Sequence, residues 1–443
     1  MTASSRPSSG RRRRLWAIPA IVATTVVMAA ACSSNGHTAS AQPQSTTAVG
    51  AAQPSGSPLN VMTIASVNYS GPNYANILNT ATVAGDWINA HGGINGHPLH
   101  VTTCDEQGDP SKTAQCGRQA IASHDVAIIG SFSLNGNAII PELAAAKTSW
   151  FGICCAASPD ELASPVVQQI GSDPAYPEAM MVKATVDGCK KIAFVVLNVG
   201  AAATLAIQFA KSALKSINGP PLAQTVLLPV TAADYSSEVA QAANGTDCIA
   251  ADIAEANFPP FITAFSAAGD HQRLYGPQGN LDALVTKQFP QATEGAVVAG
   301  TYSDISLPAW ADYRAALAQY HAPTNNVVYN SLGGLGTWAA YQAFRQIADA
   351  IKGPITNQTF LAAAQKATVN LGGMAGVGSI DFSQKFTGLG AAFSNLYNRA
   401  VTFDVVHNGN VVPFDHGKFF DITNAVSGRP LPASDTPPAG QQG

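Results

Sequence analysis

The stretch that most constrains the fold is residues 84–110, which read as a helix, a tight turn, a strand and a polar loop. Ala84, Trp87 and Ile88 fall on one helical face, because they follow the i, i+3, i+4 spacing of a helix. Gly92 and Gly93 end that helix, because glycine adopts the left-handed conformation that a C-cap needs. An Asn-Gly turn and an alternating apolar segment follow. This order is one unit of an α/β fold.

The same alternation of strands and helices continues along the chain. We predict strands over 59–67, 98–103, 126–129, 149–154, 192–197, 225–228, 248–253 and 273–275. We predict helices over 112–123, 139–146, 174–186, 202–216, 235–242, 258–268, 308–320 and 327–351, and a hairpin over 393–414. Strands that alternate with helices of this length favour parallel sheets. A chain of 443 residues is long enough for two domains, and the second α/β unit begins near Pro174.

The N-terminus is typical of an export signal. An arginine run at 11–14 precedes an apolar stretch at 15–31, which ends in small residues. Cys32 follows at once, as in a bacterial lipobox, although Ala29 stands where leucine is usual. We therefore expect Cys32 to carry a lipid; the alternative is a soluble secreted protein cut near Ala31. A retained membrane helix is disfavoured because the apolar run is short for a bilayer.

Composition indicates that both ends of the chain lie outside the folded lobes, and it argues against nucleic acid as a partner. Residues 1–31 read as a signal peptide, 32–58 as a disordered tether, and 427–443 as a loose tail, because neither polar segment can bury a core. The formal net charge is −4 and 11% of residues are charged, so no basic surface for nucleic acid is indicated.

No catalytic signature is present. The sequence lacks G-x-S-x-G, H-E-x-x-H, C-x-x-C and G-x-x-x-x-G-K-[ST] motifs. Residues 334–339 match G-x-G-x-x-A, but no ribose-binding acid follows at the required distance, so close helix packing explains them better. His91, His97 and His100 are separated by turn residues, which indicates solvated side chains rather than a metal site. We predict no enzyme activity, no metal and no cofactor.

Cysteine usage indicates an oxidising compartment. Seven cysteines less the one in the lipobox leave an even number. Cys189 and Cys248 are a favoured pair, because each lies just before a predicted strand and the two strands could be neighbours. Cys104 and Cys116 are the other favoured pair, because one ends a strand and the other lies in the helix that follows. The adjacent Cys154 and Cys155 either form a strained vicinal disulfide or pair elsewhere, and other connectivities stay open.

Residues 86–99, DWINAHGGINGHPL, resemble the "INA-GGI-G-L" signature of the branched-chain amino acid (Leu/Ile/Val) type of periplasmic-binding proteins. These are extracytoplasmic receptors of ABC importers, and the resemblance extends along nearly the whole chain after Leu59. It implies a type I periplasmic-binding fold of the α/β class, with two Rossmann-like lobes that have parallel sheets and are joined by a three-strand hinge. By that pattern lobe 1 comprises 59–172 and 303–371, and lobe 2 comprises 173–302 and 372–426.

Two predicted strand ends in lobe 1 carry small polar residues. Ligands of open α/β sheets bind beyond the carboxyl ends of strands, and a free helix N-terminus with a hydroxyl suits a carboxylate. By resemblance, Ser133 or Asn135 and Ser158 bind the carboxylate of an amino acid, with the Ala156 carbonyl near its amine. The alternative is that these hydroxyl and amide side chains are ordinary helix caps.

The resemblance also places aromatic and polar residues around the ligand. Tyr74, Phe258 and Trp338 either line a side-chain pocket or belong to the core. Gln278 stands where the family has an acid that pairs with the ligand ammonium. Either the ligand lacks a free α-amine, so that leucine binds weakly and Gln278→Glu improves binding, or Glu255 at another strand end supplies the charge.

The sequence therefore predicts a lipid-anchored solute-binding protein of an ABC importer at the outer face of the cytoplasmic membrane. A small amino-acid-like, carboxylate or amide solute would bridge two lobes that close on it. The expected partners are that solute and an ABC permease, and the protein is expected to be a monomer. The alternatives are a ligand sensor without a permease and a secreted enzyme on the same fold.

Overall fold

The computed structural model describes residues 53–440, apart from residues 70, 72 and 157 and the side chain of Ala201. The predicted signal peptide, Cys32 and the tether up to residue 52 lie outside the described residues. Within the described part, no helix combines the length and the apolar character needed to cross a membrane.

The first unit, which we call lobe 1, is built on a five-stranded parallel sheet with strand order β2-β1-β3-β4-β5. Its strands are β1 (Leu59–Ala65), β2 (Leu99–Asp105), β3 (Ala127–Ile129), β4 (Ser149–Ile153) and β5 (Val167–Gln169). The helices between them are α1 (Ala75–Ala90), α2 (Pro110–Ala122), α3 (Ile140–Ala146) and α4 (Pro159–Ala163).

The α1–β2 unit forms as its residues predict. Helix α1 ends just before Gly92 and Gly93, both of which have positive φ. Strand β2 then pairs with β1 along its whole length. Asp109 caps α2, because its side chain accepts hydrogen bonds from the backbone N–H groups of Ser111 and Lys112.

Lobe 2 is built on an eight-stranded mixed sheet, whose parallel part is β7-β6-β8-β9-β10. These strands are β6 (Ile192–Leu197), β7 (Gln224–Leu228), β8 (Cys248–Asp252), β9 (Arg273–Pro277) and β10 (Val297–Gly300). Its helices up to this point are α5 (Ala175–Val186), α6 (Ala201–Ser216), α7 (Ser236–Ala243), α8 (Phe258–Ala268) and α9 (Ala283–Gln288).

The chain then returns to lobe 1 and finally to lobe 2. The returning elements of lobe 1 are α10 (Ala311–Gln319), α11 (Leu332–Ala350), α12 (Asn357–Ala364) and a two-stranded sheet of β11 (Thr368–Val369) and β12 (Ile380–Asp381). The last elements of lobe 2 are β13 (Ala400–His407), β14 (Asn410–Pro413), β15 (Phe420–Asp421) and α13 (Thr423–Val426). Strand β13 is antiparallel to both β10 and β14, so the predicted hairpin makes the second sheet mixed rather than wholly parallel.

Each lobe has its own hydrophobic core. In lobe 1, helix α11 covers the parallel sheet and packs Phe344 and Trp338 into one cluster with Phe151 of β4. In lobe 2, the two faces of the sheet carry separate clusters, one with helices α5 and α6 and the other with α7 and α8. The predicted α/β class with two lobes is thus confirmed.

In the described part of the chain the lobes are joined by three crossings, near Ser172, near Thr301 and between residues 382 and 400. The hydroxyls of Ser172 and Thr301 lie 2.6 Å apart, and the Ser172 N–H donates to the Thr301 hydroxyl at 2.9 Å. The Asn398 side-chain amide donates to the Ile170 carbonyl at 3.0 Å. The three crossings therefore form one hydrogen-bonded hinge.

Each lobe contains one disulfide. Cys104–Cys116 joins the end of β2 to α2 in lobe 1, and Cys189–Cys248 joins the loop before β6 to the start of β8 in lobe 2. These are the two pairs that the sequence favours. The remaining described cysteines are adjacent to each other, directly after β4, and are free.

The segment 427–440, which the sequence predicts to be loose, contacts lobe 2 at identifiable points. The Gly440 carbonyl accepts a hydrogen bond from the Lys183 ammonium at 2.7 Å, and the Gly440 N–H donates to Asp187 at 2.9 Å. The Leu431 N–H donates to the Ser216 carbonyl at 3.2 Å.

Candidate ligand-binding cleft

The carboxyl ends of β4 in lobe 1 and β8 in lobe 2 approach each other beside the hinge, where Tyr176 interacts with both Cys154 and Asp252. We treat the region between these two strand ends as the candidate ligand-binding cleft. Tyr176, in the first turn of α5, connects the two walls. Its ring packs against the lobe 1 core. Burial raises the pKa of its hydroxyl well above the usual range, and the carboxylates of Asp173 and Asp252 raise that pKa further. A lobe 2 side chain therefore contacts lobe 1 while it lies beside two acids.

Tyr74, which the sequence associates with the pocket, lies on the lobe 1 side of the candidate cleft. It precedes α1, and its ring meets the edge of Phe132 with centroids 4.9 Å apart. Burial raises the pKa of its hydroxyl well above the usual range, and the negative charge of Glu255 in lobe 2 contributes to that shift. Tyr74 of lobe 1 therefore lies in the neighbourhood of Glu255 of lobe 2.

Ser133 and Asn135 lie after β3 and form a local turn around a buried acid. The Ser133 hydroxyl donates to Glu106 at 2.6 Å and accepts from the Asn135 N–H at 2.9 Å. Glu106 is fully buried and also accepts hydrogen bonds from Ser66 and Thr113, each at 2.8 Å. Three hydroxyls thus satisfy this carboxylate, and the Ser133 hydroxyl is engaged within lobe 1.

Ala156 and Ser158 lie after β4 and are also tied to acids. The Ala156 N–H donates to the Asp173 carboxylate at 3.1 Å, which joins the β4 loop to the first crossing. Ser158 precedes α4, and its hydroxyl donates to Glu161 at 3.0 Å. The backbone around Ala156 therefore lies beside the first crossing, with the Asp173 carboxylate bound to its N–H.

The lobe 2 wall is acidic. Burial raises the pKa of Asp252 to about 7 and that of Glu255 to about 8, and Asp282 adds to the Glu255 shift. Burial also raises the pKa of Asp173 to about 7, and Asp252 raises it further. We call Asp173, Asp252 and Glu255 the cleft carboxylates.

No lysine or arginine in the described ranges forms an ion pair with a cleft carboxylate. The side-chain carboxylates of Asp252 and Glu255 also accept no hydrogen bond from the described residues, whereas the Asp173 carboxylate accepts one, from the Ala156 N–H. Desolvation without a cation disfavours the charged form of a carboxyl group, which explains the direction of all three pKa shifts. The cleft is therefore a place where a positive charge would be stabilised.

Two aromatic residues that the sequence associates with either the pocket or the core are buried in the lobe cores. Phe258 is 1% exposed and packs under Gly276 in the core of lobe 2. Trp338 is 1% exposed in the lobe 1 core, where it stacks on Tyr313 with centroids 5.0 Å apart. Apolar contact on all sides, rather than an open face, accounts for both positions.

The Gln278 side chain is also part of the scaffold, because it forms hydrogen bonds with the backbone at the hinge. Its side-chain amide donates to the Tyr302 carbonyl at 2.8 Å, and its carbonyl accepts from the Tyr302 N–H at 3.3 Å. Its side chain is 1% exposed. The amide thus pairs with both backbone groups of one residue at the second crossing, which needs a donor and an acceptor together. An ionised carboxylate at this position would supply only the acceptor.

The sequence points to Glu255 as a candidate, whereas Asp252, Asp173 and Tyr176 become candidates only in the structure. Asp252 is the last residue of β8, and an acid at the carboxyl end of a parallel strand was a readable signal. Asp173 and Tyr176 lie in a crossing and in the first turn of α5, and only the relative position of the lobes brings them to the cleft.

A cavity of about 450 Å³ lies at the opposite edge of lobe 2, where β6, β8 and β9 begin. It borders Cys189, Asp247 and Cys248, whose ligand atoms lie within 4.8 Å of one another. Both sulfur atoms are consumed by the disulfide, so this group cannot supply thiolate ligands to a metal. Open α/β sheets bind ligands at the carboxyl ends of their strands, which favours the inter-lobe cleft.

Comparisons with known proteins agree with this architecture. Residues 63–390 match the family model described as periplasmic binding protein. No curated protein matches the chain. A substrate-binding periplasmic protein from Ralstonia solanacearum is 18% identical with a TM-score of 0.66, and the match covers 80% of this chain and 100% of that chain.

Two further solved structures carry ligand names. A leucine binding protein from Thermotoga maritima is 15% identical with a TM-score of 0.61, covering 80% of this chain and 97% of that chain. An ABC transporter solute binding protein from R. palustris, in complex with benzoate, is 16% identical with a TM-score of 0.64, covering 86% of this chain and 99% of that chain. Identities this low establish a shared fold, while the named ligands belong to those proteins.

Proposed function

The chain belongs to the periplasmic binding protein family, and from that premise we propose that it captures a small solute between its lobes and delivers it to the permease of an ABC importer. Structural relatives include ABC transporter substrate-binding proteins. The observation that carries the proposal is the cleft beside the three-strand hinge, with polar and acidic walls from both lobes.

We infer that the solute is amino-acid-like and carries an amine. The sequence left two possibilities, a ligand without an amine or another acid in place of Gln278. The second is favoured, because Asp252 and Glu255 face the cleft without a cation from the described residues, while the Gln278 amide is engaged at the hinge. The half-buried side chain of Asn135 and the backbone near Ala156 are the groups available for the carboxyl end of such a solute.

Charge neutralisation supplies a reason for closure. Bringing three carboxylates into one desolvated cleft is unfavourable without a counter-ion. A ligand ammonium beside these carboxylates provides that charge, and lobe 1 contacts the rest of the solute only when the lobes close. The solute therefore binds the closed form better than the open form. Differential affinity of this kind shifts a hinge equilibrium towards closure.

The experiment is calorimetry at pH 8 on the purified protein, with L-leucine as the amine probe and benzoate as the amine-free probe. We expect leucine to bind and benzoate to bind weakly. Glu255→Gln and Asp252→Asn should each lower leucine affinity roughly 10-fold to 100-fold, because hydrogen bonds to charged groups contribute about 1.5–3 kcal/mol. The matched control is Glu294→Gln, an exposed acid of lobe 2 that pairs with His407.

Two results would contradict the ligand assignment. One is benzoate binding that exceeds leucine binding. The other is leucine affinity that is unchanged in both cleft variants. Native mass spectrometry of protein isolated without added solute provides an independent check, because the assignment requires any co-purified molecule to contain an amine.

We further propose that Cys32 carries a lipid and that residues 33–58 are a tether between the membrane and the lobes. The support is the apolar stretch and the small residues before Cys32. Cys32→Ser should release the protein from membranes into the soluble fraction, whereas Cys155→Ser, the matched control, should not. Membrane-bound Cys32→Ser protein that retains its signal peptide would instead support an uncleaved anchor.

A further inference from the structure

Cys154 and Cys155 are the free cysteines of the described residues, and they are adjacent in sequence and in space. Their sulfur atoms lie 2.7 Å apart. A disulfide requires about 2.05 Å, so only a small movement separates these thiols from a bond. The other four described cysteines are already paired in disulfides. The pair therefore lies within reach of oxidation in a protein whose other described thiols are oxidised.

The pair also touches the hinge. The Cys154 carbonyl lies directly against Gly171 at the first crossing, where a Cβ has no room. The first backbone N–H after the cysteine pair, that of Ala156, donates to the Asp173 carboxylate at 3.1 Å. Movement of the peptide between the two cysteines must therefore be transmitted to the first crossing.

The second crossing lies on the other side of the pair. A Cβ placed on Gly336 of α11 would lie 2.8 Å from the Cys154 Cβ and 2.9 Å from the Tyr302 hydroxyl. That hydroxyl is fully buried and has no hydrogen-bond partner among the described residues. Gly336 therefore lies between Cys154 and the Tyr302 hydroxyl. The backbone of Tyr302 is also bonded to the Gln278 side chain at the second crossing. The cysteine pair is flanked by two of the three lobe crossings.

The local chemistry does not stabilise the thiolate of the reduced pair. The hydrogen bond with Cys154 raises the pKa of the Cys155 thiol, and burial and the nearby carboxylates of Asp173 and Glu161 raise it further. A dithiol is held reduced when its thiolate is stabilised, as in strongly oxidising disulfide enzymes. Here the thiolate is disfavoured, so the reduced pair gains no such stabilisation.

We propose that Cys154 and Cys155 are a redox pair of the exported protein, which closes to a vicinal disulfide under oxidising conditions and thereby shifts the two lobe crossings beside it. One cysteine sulfur attacks a low-molecular-weight disulfide, such as oxidised glutathione, and releases one thiol. The second cysteine then attacks the mixed disulfide and releases the second thiol. The two cysteine protons and two electrons leave with those two thiols, and reduction reverses both steps.

Ring closure has a defined structural effect. A disulfide between neighbouring residues forces the intervening peptide and both side chains into a small ring, whereas the free thiols leave the backbone after β4 to follow its own hydrogen bonds. We expect the Ala156–Asp173 hydrogen bond to change, because its donor is the next peptide along. This inference does not depend on which solute the cleft binds.

Peptide mapping tests the covalent claim. The full-length protein, purified from membranes without reductant, is denatured in iodoacetamide and digested. The peptide that contains both cysteines should be unalkylated and should take up two alkyl groups only after reduction. Alkylation of both cysteines without reduction would overturn the proposal, as would a cross-link from either one to a different cysteine.

Hydrogen exchange tests the structural claim. Natural protein and the double variant Cys154→Ala/Cys155→Ala are each compared with and without mild dithiothreitol. Reduction should increase exchange at least several-fold in peptides that cover 154–156 and 170–176 of the natural protein, and should leave the variant unchanged. Equal changes in both proteins would assign the effect to the other disulfides and overturn the proposal, as would no change in either.

Discussion

Gln278→Glu is the substitution whose outcome the hinge determines most directly. The sequence alone suggested that an acid here would improve amino-acid binding. The structure changes that expectation, because both ends of the Gln278 amide are bonded to the backbone of Tyr302. A glutamate keeps the acceptor for the Tyr302 N–H but loses the donor. Its second oxygen would face the Tyr302 carbonyl at the 2.8 Å that the hydrogen bond now spans.

The size of the effect can be bounded at each pH. An unsatisfied buried acceptor costs about 1–3 kcal/mol, and more when it is charged. The glutamate avoids the charge by taking up a proton, which at pH 8 costs about 5 kcal/mol relative to an unfolded pKa of about 4.3. At pH 8 we therefore expect a loss of about 2–5 kcal/mol in the free energy of unfolding. At pH 4 the loss should be close to zero, because a protonated carboxyl group donates to the Tyr302 carbonyl as the amide does.

The sign follows from linkage. The folded-state pKa of this glutamate is raised above its unfolded value, so the variant is relatively most stable below about pH 4.3 and loses stability as the pH rises towards the folded pKa. Urea unfolding at pH 4, 6 and 8, followed by circular dichroism, measures the difference. Gln365→Glu is the matched control, since that amide also donates to a backbone carbonyl, at 2.9 Å, but lies at the surface. Equal stability of the two variants at pH 8, or a Gln278→Glu loss that does not vary with pH, would refute the reasoning.

Three further predictions concern the whole molecule. Replacing both cysteines of Cys189–Cys248 with serine should lower the free energy of unfolding by about 4 kcal/mol, and replacing both of Cys104–Cys116 should lower it by about 3 kcal/mol. The first loss is larger because loop-closure entropy grows with sequence separation, which is 59 residues for the first pair and 12 for the second. The reverse order in urea unfolding would contradict this prediction. The melting temperature of the ligand-free protein should rise as the pH falls from about 8 to about 5, because the cleft carboxylates have raised folded pKa values of about 7 and about 8; a fall over that range would show that other groups dominate. X-ray scattering should give a smaller radius of gyration when L-leucine saturates the protein, and an unchanged radius at confirmed saturation would indicate a rigid cleft.

The fold was predictable because its signals are local. Strand β6 occupies Ile192–Leu197, as its unbroken apolar run predicts. Helix α11 begins at Leu332, five residues later than the apolar periodicity suggests, because Ser331 caps it through the Gly334 N–H. Strand β5, only Val167–Gln169, was missed, since three residues carry too little periodicity to be distinguished from a loop.

The candidate site was less predictable because it depends on partners distant in sequence. Ser133 at a strand end suggests a ligand hydroxyl, yet its partner is Glu106, a buried acid 27 residues away. Trp338 lies on a helix face that would suit a pocket or a core equally well, and only the packed structure distinguishes them. Glu255 was identified because a strand end with an acid is itself a local signal.

The interleaved course of the chain determines when each lobe can be completed during synthesis. The five strands of lobe 1 are all present by Gln169, but the helix that covers their apolar face is Leu332–Ala350. Lobe 2 in turn lacks the strand between β10 and β14 until Ala400–His407 has emerged. A nascent chain therefore exposes an uncovered sheet for most of its elongation. No continuous fragment contains one complete lobe. Truncation between the lobes would therefore yield two fragments with exposed apolar surfaces rather than two folded domains.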